Sequence, residues 1–208
     1  MGRAPAVAAL LILPGPAMTL LPLIVLCALL ALAVSSDLTT RRIPNALVFG
    51  GAALGLLLNS AYPDGDGLFV RPLGGLGALW ALAGLAAGLA LLLPMYAMRA
   101  LGAGDVKLMA MVGAFVGPHA VLGCTLLTLL AGGVLALAVA AWNGRLRLML
   151  ANSYHMSVYA LMRRLGGDAI TLEPPAEASG RLPYAVAIAA GTTPYLVWGA
   201  WRGTSLFS

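Results

Sequence analysis

Two aspartates stand where a carboxylate is costly. Asp37 follows an apolar run in "AVSSDLTTRRIPN", and Asp105 opens another in "GAGDVKL". A charged side chain in or beside a membrane-spanning stretch costs about 3 kcal/mol on insertion scales, so such a residue marks a site or has a partner. If the two acids meet, the pair has a definite chemistry. The ionised member takes a proton from water while the protonated member hydrogen-bonds a carbonyl under attack. Crowded carboxyls share one proton over a useful pH range, and no metal is required.

The neighbouring residue types suit that role. Gly102 and Gly104 remove side chains beside Asp105, leaving room for a peptide backbone and for a bend at a helix start, where the helix dipole also favours negative charge. Lys107 supplies a nearby cation. Pro44 presets the start of the helix after Asp37, and Arg41 and Arg42 can anchor the turn to anionic headgroups. Plainer readings exist for each residue. Asp37 can cap a short interfacial helix, Asp105 can be an N-cap paired with Lys107, and the three cations can serve topology alone.

Competing chemistry is absent from the sequence. Cys27 and Cys124 lie in apolar runs with no second cysteine two residues away, so neither a zinc site nor a disulfide framework is legible. Neither cysteine is expected near the aspartates, and His119 and His155 are expected on opposite sides of the membrane, so no competing nucleophile constellation is legible. No metal ligand set and no cofactor are expected. "PDGDG" at 63–67 resembles the beginning of a calcium loop but lacks the later ligands, and reads as a polar turn.

The elements that must position the aspartates are transmembrane helices. Of 208 residues, 61% are hydrophobic and 9% charged, against about a quarter charged in soluble domains. The mean hydropathy is +0.95. The formal charge of +5 therefore reflects membrane topology rather than a nucleic-acid partner. Segments near 18–35, 45–61, 74–94, 104–117, 119–141 and 182–200 are apolar enough to predict an all-α, polytopic bundle of about six transmembrane helices, forming one domain over 1–208. The first is expected to be an uncleaved span rather than a signal peptide. The fourth is short and is expected inside the bundle. Gly51 and Gly55 have small-xxx-small spacing, a weak signal in a chain with 26 glycines.

With the 36–44 turn on the cytoplasmic side, Arg41, Arg42, Arg99, Lys107, Arg145, Arg147, Arg163, Arg164 and Arg181 fall inside, and Arg3, Arg71 and Arg202 outside. Both aspartates are then expected at one membrane depth, facing the cytoplasm. The polar stretch 142–181 is expected to hold an interfacial amphipathic helix followed by a loop containing proline, and Trp198 with Trp201 to anchor the last span.

"DLTTRRIPN", followed some sixty residues later by "GAGDVKLMAMVGAFVG", resembles the type IV prepilin peptidases, membrane aspartyl proteases with a G-x-G-D motif. "RLPYAVAIAAG" at 181–191 is similar to the family's last-span segment, with Pro183 before small and apolar residues. The resemblance implies that Asp37 and Asp105 are the catalytic pair, with Gly102, Gly104, Lys107, Arg41, Arg42, Pro44 and Asn45 shaping the substrate site. It implies cleavage of a short basic leader from prepilins or pseudopilins at the cytoplasmic face of the inner membrane, with the substrate's own helix still in the bilayer. Larger members add a cytoplasmic insertion with paired C-x-x-C motifs and methylate the new N-terminus. This chain carries neither, so it resembles the compact peptidases of tight-adherence (Flp-type) pili, without methyl transfer. Asp168, Glu173 and Glu177 are candidate contacts for a basic leader.

Three other readings compete. Presenilin-like and signal-peptide-peptidase-like proteases share the G-x-G-D aspartate, but place a tyrosine where Ser36 precedes Asp37. A proton-coupled transporter would spread its acids through the midplane and carry paired broken helices. A noncatalytic pilus-assembly subunit could keep the fold.

Overall fold

The computed structural model describes residues 16–61, 76–98, 100–144 and 183–202, with side chains described between 21 and 198 within those ranges. These residues form helices, and no strand occurs among them. In chain order they are α1 (Pro16–Thr40), α2 (Asn45–Ala61), α3 (Ala78–Ala97), α4 (Ala103–Trp142) and α5 (Tyr184–Arg202). Leu21–Thr40, Ala78–Ala97 and Ala103–Trp142 are each long and apolar enough to cross a bilayer. The protein is a helical membrane protein.

Large apolar side chains face outward, as expected of helices that face lipid. Leu122, Leu126, Leu130 and Val134 recur every fourth residue and form one exposed stripe along α4. The buried core gathers Leu26, Leu30 and Ala33 of α1, Val48 and Ala52 of α2, Leu92 of α3, and Ile188 and Leu196 of α5 around the first half of α4. α4 packs against every other described helix.

Sequence reading separates 104–117 from 119–141, and the backbone does the same within α4. Gly117 has φ 79° and ψ 176°, a non-helical conformation in the range that glycine adopts readily, and Pro118 follows it. The register of contacts shows a reversal there. Gly88 faces Met109 and Gly84 faces Gly113 and Gly117 on the first limb, whereas Gly132 meets Tyr184 and Cys124 meets Thr192 on the second. Tyr184 also lies within electrostatic range of Asp105, at the start of the first limb. The second limb thus returns to the end where the first began. The limbs, 103–117 and 118–142, are about 22 and 37 Å long at helical rise, and residues 106 and 108–117 are all buried, as expected for a short inner segment.

Proline at 118 has no N–H, so the Ala114 carbonyl loses its helical donor. Asn59 of α2 replaces it. Its Nδ2 donates to the Ala114 oxygen at 2.7 Å and to the Phe115 oxygen at 3.2 Å, while its Oδ1 accepts from Leu76 N–H at 3.3 Å. A buried carbonyl left unmet would cost about 1–3 kcal/mol, which explains the buried asparagine here.

Small residues set the helix spacing. Gly84 and Gly88 lie directly against Gly113, Gly117 and the Met109 carbonyl, so α3 and the first limb of α4 touch backbone to backbone. Gly51 and Gly55 receive the side chains of Met111 and Phe115. The weak small-xxx-small signal therefore marks a real contact, and the stronger G-x-x-x-G pairing of 84–88 with 113–117 escapes the sequence reading. The 142–181 stretch beyond Gly144, the 62–72 turn with Asp64 and Asp66, and Arg99, His155, Asp168, Glu173 and Glu177 lie outside the described residues.

Candidate active site

Asp37 lies in the last turn of α1, not after it, because the helix continues to Thr40. Hydroxyls make the end of that helix. Thr39 Oγ1 donates to the Ser35 carbonyl at 2.8 Å, Thr40 Oγ1 to the Ser36 carbonyl at 2.8 Å, and Ser36 Oγ reaches across the turn to the Arg42 carbonyl at 2.8 Å. Arg41 then adopts φ 53°, and its N–H donates to the Asp37 carbonyl at 3.0 Å, a left-handed cap on an ordinary residue. Pro44 ends the turn and its carbonyl receives the Val48 N–H at 3.3 Å, the first bond of α2. The hydroxyl-rich "SSDLTTRRIPN" is thus a tightly closed corner whose inner face carries Asp37.

Asp37 is 8% exposed. A carboxylate at the C-terminal end of its own helix faces the negative end of that helix's dipole. The opposing α5 compensates: the Ala185 N–H, in the first turn of α5, donates to Asp37 Oδ2 at 3.2 Å. Asp37 therefore holds the N-terminus of a helix 148 residues away in sequence rather than a short helix of its own.

Asp105 occupies the third position of α4, after the N-cap Gly102. Its Oδ2 accepts the Gly102 N–H at 3.0 Å, the reaching-back half of a capping box. It is half-buried, and Asp37 lies close enough to interact with it electrostatically. The two acids thus come together at one end of the bundle, each held by a backbone N–H at a helix start. They face two positive helix ends, those of α4 and α5.

Lys107 does not pair with Asp105. Residues two apart on a helix point to different faces, which removes the proposed local ion pair. Its Nζ instead donates to Asn45 Oδ1 at 3.1 Å and stands 5.4 Å from the centre of the Phe49 ring, both on α2. Gly104 packs on Ile43, with Ile43 Cβ 3.4 Å from the place a β-carbon would occupy. Lys107–Asn45 and Gly104–Ile43 therefore join the two motifs. A β-carbon at Gly102 would stand 3.2 Å from Asp105 Oδ2, so that glycine gives the carboxylate its room. Arg41 and Arg42 are exposed at the same end.

Tyr184 and the Ala185 N–H are the site components that sequence reading missed. "RLPYAVAIAAG" marked the segment, but a backbone donor carries no residue signature. His119 is far from the pair, at the reversal, with its ring centre 6.0 Å from that of Trp80. No cluster of three metal-ligating side chains occurs among the described residues.

Two carboxylates within electrostatic range at one end of a membrane helix bundle make a candidate acid–base site. Residues 24–137 match the type IV leader peptidase family, more than half of the chain, and the protein belongs to that family of membrane peptidases. Neither a curated protein nor a solved structure matches the chain. The matched stretch contains both aspartates and ends before α5, which adds its own N–H to the site.

Proposed function

We propose that the protein is an aspartyl endopeptidase that removes the short basic leader of prepilins or pseudopilins, without N-methyl transfer, in the manner of compact Flp-type enzymes. One observation carries this reading: Asp37 and Asp105, 68 positions apart in sequence, meet electrostatically at one end of an otherwise apolar bundle. An isolated structural acid would need no such companion.

One carboxylate, ionised, removes a proton from water as the water oxygen attacks the scissile carbonyl. The other, protonated, gives its proton to the carbonyl oxygen. The tetrahedral intermediate then returns that proton to the second acid while the first protonates the departing nitrogen. The C–N bond breaks and the pair again holds one proton. Gly102 gives peptide backbone access beside Asp105, and the closed corner at 36–45, latched by Lys107 and Asn45, keeps Asp37 opposite. Arg41, Arg42 and Lys107, the basic side chains described, gather at this end, which supports a cytoplasmic active site in the inner membrane by the positive-inside rule.

The test is leader removal by purified protein in liposomes given a prepilin. Wild type should shorten the precursor, and Asp37→Asn and Asp105→Asn should each lower the rate on the order of a thousandfold or more. Cleavage should persist in chelator. Full activity in either asparagine variant would exclude the two-carboxyl mechanism.

A further inference from the structure

The first turn of α5 brings two adjacent residues to the aspartates. Ala185 donates its N–H to Asp37 Oδ2 at 3.2 Å. Tyr184, half-buried, lays its ring across Gly132 on the second limb of α4. A β-carbon at 132 would stand 2.7 Å from Tyr184 Cε2 and 2.9 Å from its hydroxyl, so the phenol fills the space that the missing side chain leaves. The next residue, Gly133, has nothing within 4 Å and shows that the seat is specific to 132. Phenol and Asp105 lie within electrostatic range.

We propose that Tyr184 is a positioning residue of the aspartate pair: its ring, seated on Gly132, fixes the first turn of α5 so that the Ala185 N–H stays on Asp37. This rests on the peptidase reading given above. The body of α5 is fixed farther along by Ile188 and Leu196 in the core and by Gly191 against the Thr128 backbone; the seat adds a side-chain contact in its first turn, where the N–H meets the carboxylate. The aromatic body supplies the contact area and the hydroxyl supplies the polar end.

Steady-state cleavage of a prepilin in liposomes tests the seat. Tyr184→Ala, which removes the ring, should lower kcat about tenfold with KM unchanged, and Tyr184→Phe, which keeps the ring on Gly132, should retain most of the rate. Gly132→Ala displaces the far end of a flexible side chain and should also lower kcat, whereas Gly133→Ala should match wild type. In a Tyr184→Ala background, Gly132→Ala should cost nothing further, because the ring it displaces is gone. A Tyr184→Ala enzyme with wild-type kcat would overturn the proposal, as would additive losses in the double variant.

A second readout needs no activity. With 3-fluorotyrosine at 184, the fluorine resonance should respond to pH in the acidic range, and this response should vanish in Asp105→Asn. A resonance unaffected by Asp105→Asn would overturn the Tyr184 contact whatever the enzyme does. A normal fluorine response in a protein that leaves every leader intact would sustain the contact and overturn the peptidase reading.

Discussion

At the scale of single residues, a polar side chain in this protein is held by a partner that its sequence neighbours do not reveal. Asp105 and Lys107 are two apart, and the helix sends one to the aspartate pair and the other to α2. Lys107 is therefore a latch on the 41–45 corner, through Asn45 and the Phe49 face. Lys107→Met and Asn45→Ala should each reduce leader cleavage several-fold, and the double variant should be little worse than either single one, because both remove the same bond. A silent Asn45→Ala beside a crippled Lys107→Met would instead make the lysine act directly at the site. Gly102→Ala brings a methyl to 3.2 Å from Asp105 Oδ2 and should lower kcat while leaving thermal stability near wild type. A kcat equal to wild type would remove that glycine from the site. Both aspartates were legible from sequence because carboxylates beside apolar runs are rare. The Ala185 donor was not, because any residue but proline has an N–H.

At the scale of elements, α4 is a helical hairpin whose reversal has an unusual requirement. Gly117 and Pro118 mark the break in the sequence, so its position could be read in advance. The repair of the broken backbone could not, since Asn59 comes from another helix and its nearest target is 55 positions away. Asn59→Leu leaves the Ala114 carbonyl buried and unmet, and should destabilise the protein by about 1–3 kcal/mol. Thermal unfolding in detergent would register this as a lowered midpoint, with residual activity at low temperature because the aspartates lie at the opposite end. An unchanged midpoint would mean that another donor serves the kink. Close backbone packing is similarly half-legible. The spacing of Gly84 with Gly88 and of Gly113 with Gly117 stands in the sequence, but only the fold matches one pair to the other.

At the scale of the whole molecule, every described part of the candidate site lies at one end. The corner after α1, the start of α4, the start of α5 and the basic side chains Arg41, Arg42 and Lys107 meet there, while the Gly117 reversal, Asn59 and His119 mark the other. The bilayer makes this polarity a topological statement. Basic residues are retained on the cytoplasmic side, so the aspartate end should face the cytoplasm and the reversal should face away from it. Arg42 and His119 are both exposed, and each can carry a reporter without entering the core. In a background with Cys27 and Cys124 replaced by alanine, Arg42→Cys should react with a membrane-impermeant maleimide only in inverted inner-membrane vesicles, and His119→Cys only in right-side-out ones. The opposite pattern would put the site outside and exclude cleavage of a leader that has not crossed the membrane. Labelling of both from one face would contradict the span count itself, because the first limb of α4 would then fail to separate its ends across the bilayer.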